Sequence, residues 1–270
     1  MKRIIGVNSN CYHGYNMEDA LEGIAAAGFH YVELTATKGW TEHVFPSQSF
    51  AYLVQVKEHM KRLGLIPFAM SGYCNLMDKE RLLDFIMNIR LAAFFGCDYI
   101  VSSVGEAHLE DKDKGSDELV AEHIRMLLPY LEEHEMTLVL ESHGEHATGA
   151  VLKGITDRVD SSRVGINYDT ANVIYYGNVD PVLDMESCIG DIRYMHLKDK
   201  AGEPNEWNFP ALGKGVVGFP KIFEKLERVG NACPFSIEIE FTPEGPESLE
   251  AVNRAVRDSA EYLKSLGMEL

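Results

Sequence analysis

Short apolar runs alternate with longer amphipathic ones along the whole chain. Runs rich in branched and aromatic side chains predict strands over 4–8, 31–35, 66–71, 99–103, 138–142, 164–169, 194–198 and 235–241. Between them, helical periodicity predicts helices over 17–27, 50–63, 79–95, 117–134, 147–158, 181–189 and 220–229, and a last one over 248–266 closes the chain. Gly28, Gly64, Gly96 and Gly230 stand where helices end before the next strand, the usual place for a left-handed cap. Eight strand–helix units with short connections predict a parallel sheet closed into a (β/α)8 TIM barrel. A single barrel domain is expected to span 1–270, with no linker and no sequence repeat.

One run breaks the apolar pattern in an informative way. Leu138-Val-Leu-Glu-Ser-His143 reads as a strand whose alternation puts Val139, Glu141 and His143 on one face. A carboxylate on such a strand needs a partner, because burying an unpaired charge is costly. The next three predicted strands end in the same way, at Asp169, His196 and Glu238, spaced 28, 27 and 42 residues apart. On each of the four strands a second polar residue lies two positions away on the same face: His143, Asn167, Lys198 and Glu240. Active sites of such barrels sit at the C-terminal strand ends. Three carboxylates and one imidazole gathered there suit one divalent metal, Mn, Mg, Co or Zn. Glu240 shares a face with Glu238 and rivals it as the fourth ligand; Glu238 is preferred.

The formal net charge of −17 argues against nucleic acid and anionic membrane partners, both of which need clustered cations. Acidic stretches over 106–122, 132–135 and 244–250 read as solvated surface. Five scattered cysteines without a CxxC spacing fit reduced thiols. The basic-then-apolar opening over 1–7 is too short for a signal peptide, and no run reaches the length of a membrane span. A cytoplasmic location is expected.

The motifs Val32-Glu-Leu-Thr35, Ser71-Gly-Tyr-Cys-Asn-Leu76, Leu140-Glu-Ser-His-Gly144, Tyr168-Asp-Thr-Ala-Asn172, His196-Leu-Lys-Asp199, Gly213-Lys-Gly215 and Phe235-Ser-Ile-Glu238 occur in this order. Together they resemble the sugar phosphate isomerase/epimerase superfamily, the xylose isomerase-like TIM barrels, over nearly the whole chain. The resemblance implies one divalent metal held by Glu141, Asp169, His196 and Glu238, and its Phe-x-Ile-Glu context supports Glu238 over Glu240. It implies proton transfer beside the carbonyl of a sugar or sugar phosphate through an enediolate, with Glu141 and Glu238 as acid and base.

His143, Asn172 and Lys198 are candidate substrate contacts. Asn172 stands where some relatives of this superfamily carry a substrate-contacting His. Lys198 would hold an anionic group or pair with Glu240. His13 would line the mouth or be a solvated loop residue. Glu33 is expected to be structural, paired inside the barrel. Trp40 and Trp207 would cap a sugar face or serve loop packing. The glycine-bearing loop over 200–215 suggests a lid or a phosphate cradle of backbone N–H groups. The aromatics at 175, 176 and 207 would suit a homo-oligomer. Rival functions on this barrel are a metal-dependent dehydratase or lyase, an endonuclease IV-like repair enzyme and a non-catalytic sugar binder. The endonuclease reading is weakened by the charge and by the absence of extra His ligands at Ser71–Cys74, Ser102–Gly105 and Asn172.

Overall fold

The computed structural model describes residues 3–105 and 115–270. The acidic stretch over 106–122 and the basic opening thus lie partly outside the described residues. Eight parallel strands close on one another: β1 (Ile5–Asn8), β2 (Tyr31–Thr37), β4 (Ile66–Ser71), β5 (Tyr99–Ser102), β6 (Thr137–Glu141), β7 (Val164–Asp169), β8 (Ile192–Leu197) and β9 (Phe235–Ile237). Each pairs with its neighbours in chain order, and β1 pairs with both β2 and β9, which shuts the barrel. A two-residue strand, β3 (Thr41–Glu42), folds back antiparallel on the end of β2.

The helices form the outer layer: α1 (Met17–Ala26), α2 (Phe50–Leu63), α3 (Leu82–Phe95), α4 (Asp117–Glu133), α5 (Gly149–Val159), α6 (Asn172–Tyr175), α7 (Pro181–Asp184), α8 (Phe219–Arg228) and α9 (Leu249–Ser265). Asn16, Ser49, Ser116 and Ser248 cap the helix starts they precede through their side chains. Gly64 and Gly96 end α2 and α3 at φ 71° and 87°, where a Cβ would be strained. Two expectations need correction. The helix expected over 181–189 stops at Asp184 and continues only as a 3-10 turn, Met185–Ser187. The last strand ends at Ile237 rather than 241, because Ile239 N–H turns to Cys11 Sγ and the N–H groups of Glu240 and Phe241 turn to Phe209 O.

The floor of the barrel is aromatic. Phe68 stacks on Tyr194 at 5.7 Å, and Tyr31 and Tyr99 pack around them. Gly6 on β1 makes room for this plug, since a Cβ there would lie 2.5 Å from Phe68 Cε1 and 2.8 Å from Tyr31 O. Apolar floor and polar top follow from one register. On β6 the inward positions are Val139 and then Glu141; on β8 they are Tyr194 and then His196, with Lys198 just past the strand end.

Candidate metal centre

Glu141, Asp169, His196 and Glu238 come together at the C-terminal strand ends. Their ligand atoms all lie within 4.8 Å of one another, and all four side chains are buried. His196 Nδ1 lies 2.6 Å from Glu141 Oε1, 3.6 Å from Glu238 Oε2 and 3.9 Å from Asp169 Oδ2. Its other nitrogen faces away. Nε2 sits 3.0 and 3.2 Å from the two Glu33 oxygens. Glu33 is itself fixed by hydrogen bonds from Ser71 Oγ at 2.5 Å and Tyr194 OH at 2.9 Å. The buried carboxylate on β2 therefore orients the imidazole so that Nδ1 points at the cluster, the arrangement that carboxylate–histidine pairs give metal ligands.

The donor set fits a dication. Asp169 Oδ1 accepts from the N–H groups of Ala171 and Asn172 at 2.8 and 2.7 Å. Its Oδ2 is fully buried and accepts no hydrogen bond among the described residues. A buried carboxylate oxygen without a donor is costly unless a cation meets it. Glu33, Glu141, Asp169, Glu238 and Glu240 crowd around one lysine and one histidine, an excess of negative charge that a divalent ion offsets.

The titrations carry the same strain. Burial pushes Asp169 up to about 8, against the pull of Lys198 and with the help of Glu141. Burial also raises Glu141, with His196 opposing. Glu238 goes the other way: burial would raise it, but Lys198 and His196 together hold it down at about 2. For His196 burial favours the neutral ring, yet Glu33 and Glu238 outweigh it and hold the imidazole well above its ordinary value.

Above the cluster lies a cavity of about 700 Å³ counting its open mouth. Asn8, Asn10, Tyr73, His143, Asn172, Lys198 and Glu240 help to line it. His143 is half-buried, with Nε2 3.4 Å from Tyr176 OH. Asn172 is buried, and its Nδ2 has no acceptor among the described residues. Lys198 Nζ lies 3.3 Å from Glu238 Oε2, closer still to Glu240, and 4.4 Å above the Phe209 ring. Lys198 is paired with both Glu238 and Glu240. His13 does not line this cavity. It is exposed, stacks on Trp40 at 4.2 Å and 14°, and lines a second groove outside.

The glycine loop is no phosphate cradle. The N–H groups of Gly213, Gly215, Val217 and Lys200 all point into the Asp199 carboxylate, at 2.8–3.1 Å. A Cβ on Gly215 would fall 2.3 Å from Asp199 Oδ1, so the close wrap requires glycine there. The aromatics at 175, 176 and 207 are half-buried. Tyr175 packs edge-on against Tyr176, Trp207 and Phe209.

The sequence reading passed over Asn8 and Asn10. Their amides donate to Glu238 Oε1, each at 3.2 Å, and Asn10 also to Glu240. The signal was present: Asn8 and Asn10 form the same period-two polar pair at the end of β1 that marked the other four strands.

Known proteins share this architecture. A solved structure of L-ribulose 3-epimerase is 21% identical, with a TM-score of 0.74, over 99% of this chain and 95% of that one. A xylose isomerase-like TIM barrel protein from Mycobacterium smegmatis, in complex with magnesium, is 17% identical, with a TM-score of 0.76, over 97% of each chain. A probable 3-DHS dehydratase from Bacillus anthracis is 18% identical, with a TM-score of 0.73, over 98% of this chain and 99% of that one. At these identities the likeness is one of fold. No curated protein sequence matches. The family profile described as xylose isomerase-like TIM barrel matches residues 21–266. The chain belongs to the family of xylose isomerase-like TIM barrels.

Proposed function

We propose that this protein is a divalent-metal-dependent isomerase or epimerase of ketoses or aldose–ketose pairs, working by proton transfer beside a carbonyl. The observation that carries the reading is the convergence of Glu141, Asp169, His196 Nδ1 and Glu238 beneath a cavity, with Asp169 Oδ2 left without a donor. A dication held by these four supplies the Lewis acidity that makes the neighbouring C–H acidic.

Glu141 ends β6 and Glu238 follows the last residue of β9, three strands away around the barrel, and so they meet the sugar from different sides. One carboxylate takes the proton from carbon, and the other returns a proton to the opposite face or to the adjacent carbon. The first outcome gives an epimer and the second an isomer. In the reverse direction the two exchange roles. Asn8 and Asn10 anchor one oxygen of Glu238 while Lys198 approaches the other, which fixes its direction. Asn172 and His143 supply hydrogen bonds for the hydroxyls. Lys198 balances the acidic mouth between Glu238 and Glu240.

A dehydratase or lyase begins with the same abstraction, and the dehydratase among the neighbours of this fold keeps that reading open to product analysis. Among the described residues there is one metal-competent cluster of this kind, which together with the net charge of −17 weighs against a repair nuclease. The protein is read as a single domain acting on small sugars. All five cysteines are unpaired and buried, in keeping with a reducing compartment such as the cytoplasm. No helix among the described residues is long and apolar enough to cross a membrane.

The test is exchange of the carbon-bound proton of ketoses with deuterium oxide, in the presence of Mn, Co or Mg. Glu141→Gln should lower exchange by roughly 10²–10⁴-fold with the thermal midpoint preserved. Exchange at the wild-type rate in that variant would contradict the assignment.

A further inference from the structure

The hairpin of β2 and β3 stands at the edge of the inner cavity. Thr37, Lys38 and Gly39 in its turn help to line that space. Thr37 and Thr41 pair across the hairpin, and Gly39 takes the turn at φ 71°. Thr41 is buried, and its hydroxyl stands between two partners. Oγ1 donates to Asn10 Oδ1 at 2.8 Å and lies 2.7 Å from His13 Nδ1. A hydroxyl has one proton to give. Given to Asn10, it leaves His13 to donate from Nδ1. At its other end the Asn10 amide donates from Nδ2 to Glu238 Oε1 and to Glu240 Oε1, each at 3.2 Å. The hydrogen bonds from His13 through Thr41 and Asn10 to Glu238 thus all run in one direction, from the rim to the cluster.

We propose that Thr41 is a positioning residue for the proton transfer proposed above, on which this inference rests. Its hydroxyl fixes the Asn10 amide, and so ties Glu238 to the hairpin beside the cavity. The two ends of an amide have nearly the same shape and opposite hydrogen-bonding character. The N–H end of Asn10 must face the two carboxylates. Its oxygen then needs a donor, because a buried acceptor left without one is costly. Thr41 is that donor. Asn8 is set in the same way: Thr35 Oγ1 donates to its Oδ1 at 2.8 Å, and its Nδ2 meets Glu238 Oε1 at 3.2 Å. The two anchors differ in what holds them. Thr35 lies where β2 is paired with β4 inside the barrel. Thr41 lies on a two-residue strand at the edge of the sheet. Asn10 is therefore the anchor that moves with the hairpin. With Oε1 held by the two amides, Oε2 stays turned toward His196 Nδ1, at 3.6 Å. A sugar that shifts residues 37–39 is felt at Glu238 through Thr41.

Two readouts test this, one of them independent of activity. The first is solvent exchange of the Asn10 side-chain amide, followed by NMR on protein labelled with 15N-asparagine and without added metal. The Asn10 signal is identified by its loss in Asn10→Ala. Thr41→Val keeps the shape and removes the donor. It should speed the exchange of this amide roughly threefold to tenfold, the range of one hydrogen bond. The second readout is proton exchange on a panel of free ketopentoses and ketohexoses with Mn. Thr41→Val should lower kcat and kcat/KM by the same threefold to tenfold, with KM kept. Thr41→Ser restores the hydroxyl and should restore both readouts. In an Asn10→Ala background Thr41→Val should cost nothing more. A full additional loss in that background, or a faster amide with unchanged kcat, would overturn the positioning role. An amide unchanged in Thr41→Val would overturn the link from the hairpin to Asn10. A responsive amide in a protein that exchanges no ketose would uphold the link and overturn the reaction.

Discussion

Glu33 reaches His196 from β2, on the far side of the ring from the three carboxylates that face Nδ1. Its work is to aim the imidazole and to keep a proton on Nε2. Glu33→Gln preserves the shape but can present its amide N–H to Nε2 instead of an acceptor. The expected result is a loss of roughly 10–100-fold in affinity for Mn, read by calorimetry, with the fold retained. An unchanged affinity would show that Glu33 is merely a buried partner. This residue also marks a limit of what alternation conveys. Its burial and pairing were legible from Val32-Glu-Leu-Thr35, but its partner lies 163 residues away, and register alone does not say which inward side chains share a layer.

At the scale of elements, two loops at the mouth rest on single buried side chains. Asp199, two residues past β8, gathers four backbone N–H groups and so ties residues 213–217 to the barrel. Each such bond to a charged acceptor is worth about 1.5–3 kcal/mol. Asp199→Ala should therefore accelerate hydrogen exchange at the amides of Gly213, Gly215 and Val217 by tenfold or more. Protection equal to that of the wild type would show that the loop holds itself.

His43, just after β3, is the second. Burial pushes its imidazole down to about 4, and its carbonyl receives Tyr52 OH at 2.9 Å. Its ordinary value is 6.5, so between the two values the unfolded chain binds a proton that the folded one rejects. The stability tied to His43 is complete above pH 6.5 and falls as the pH drops toward 4, by about 3 kcal/mol in all. His43→Gln should flatten that slope in urea midpoints measured from pH 7 to 4.5. Parallel curves for the two proteins would refute it. The glycine loop shows why such details escaped the sequence. Gly213-Lys-Gly215 announces a tight turn with exposed N–H groups, yet the anion they hold is an aspartate of the same chain.

For the whole molecule, the barrel was legible because its rhythm repeats eight times, and errors of up to four residues at strand ends do not change the count. The gathering of Glu141, Asp169, His196 and Glu238 was legible for a related reason. Parallel strands in sequential order place their ends side by side, so a polar side chain at each of four successive ends is brought together by topology alone. Contacts between strands distant in order, such as Asn8 and Asn10 on Glu238, depend on the closure of β1 on β9 and needed the structure. The outer groove belongs to loops, whose conformation no periodicity encodes.

The proposed function depends on one ion at one place. Anomalous diffraction from crystals equilibrated with Mn measures it most directly. The expected result is a single strong peak within bonding distance of Glu141, Asp169, His196 Nδ1 and Glu238. A map with no peak at that position, or with the ion held by other side chains, would contradict it.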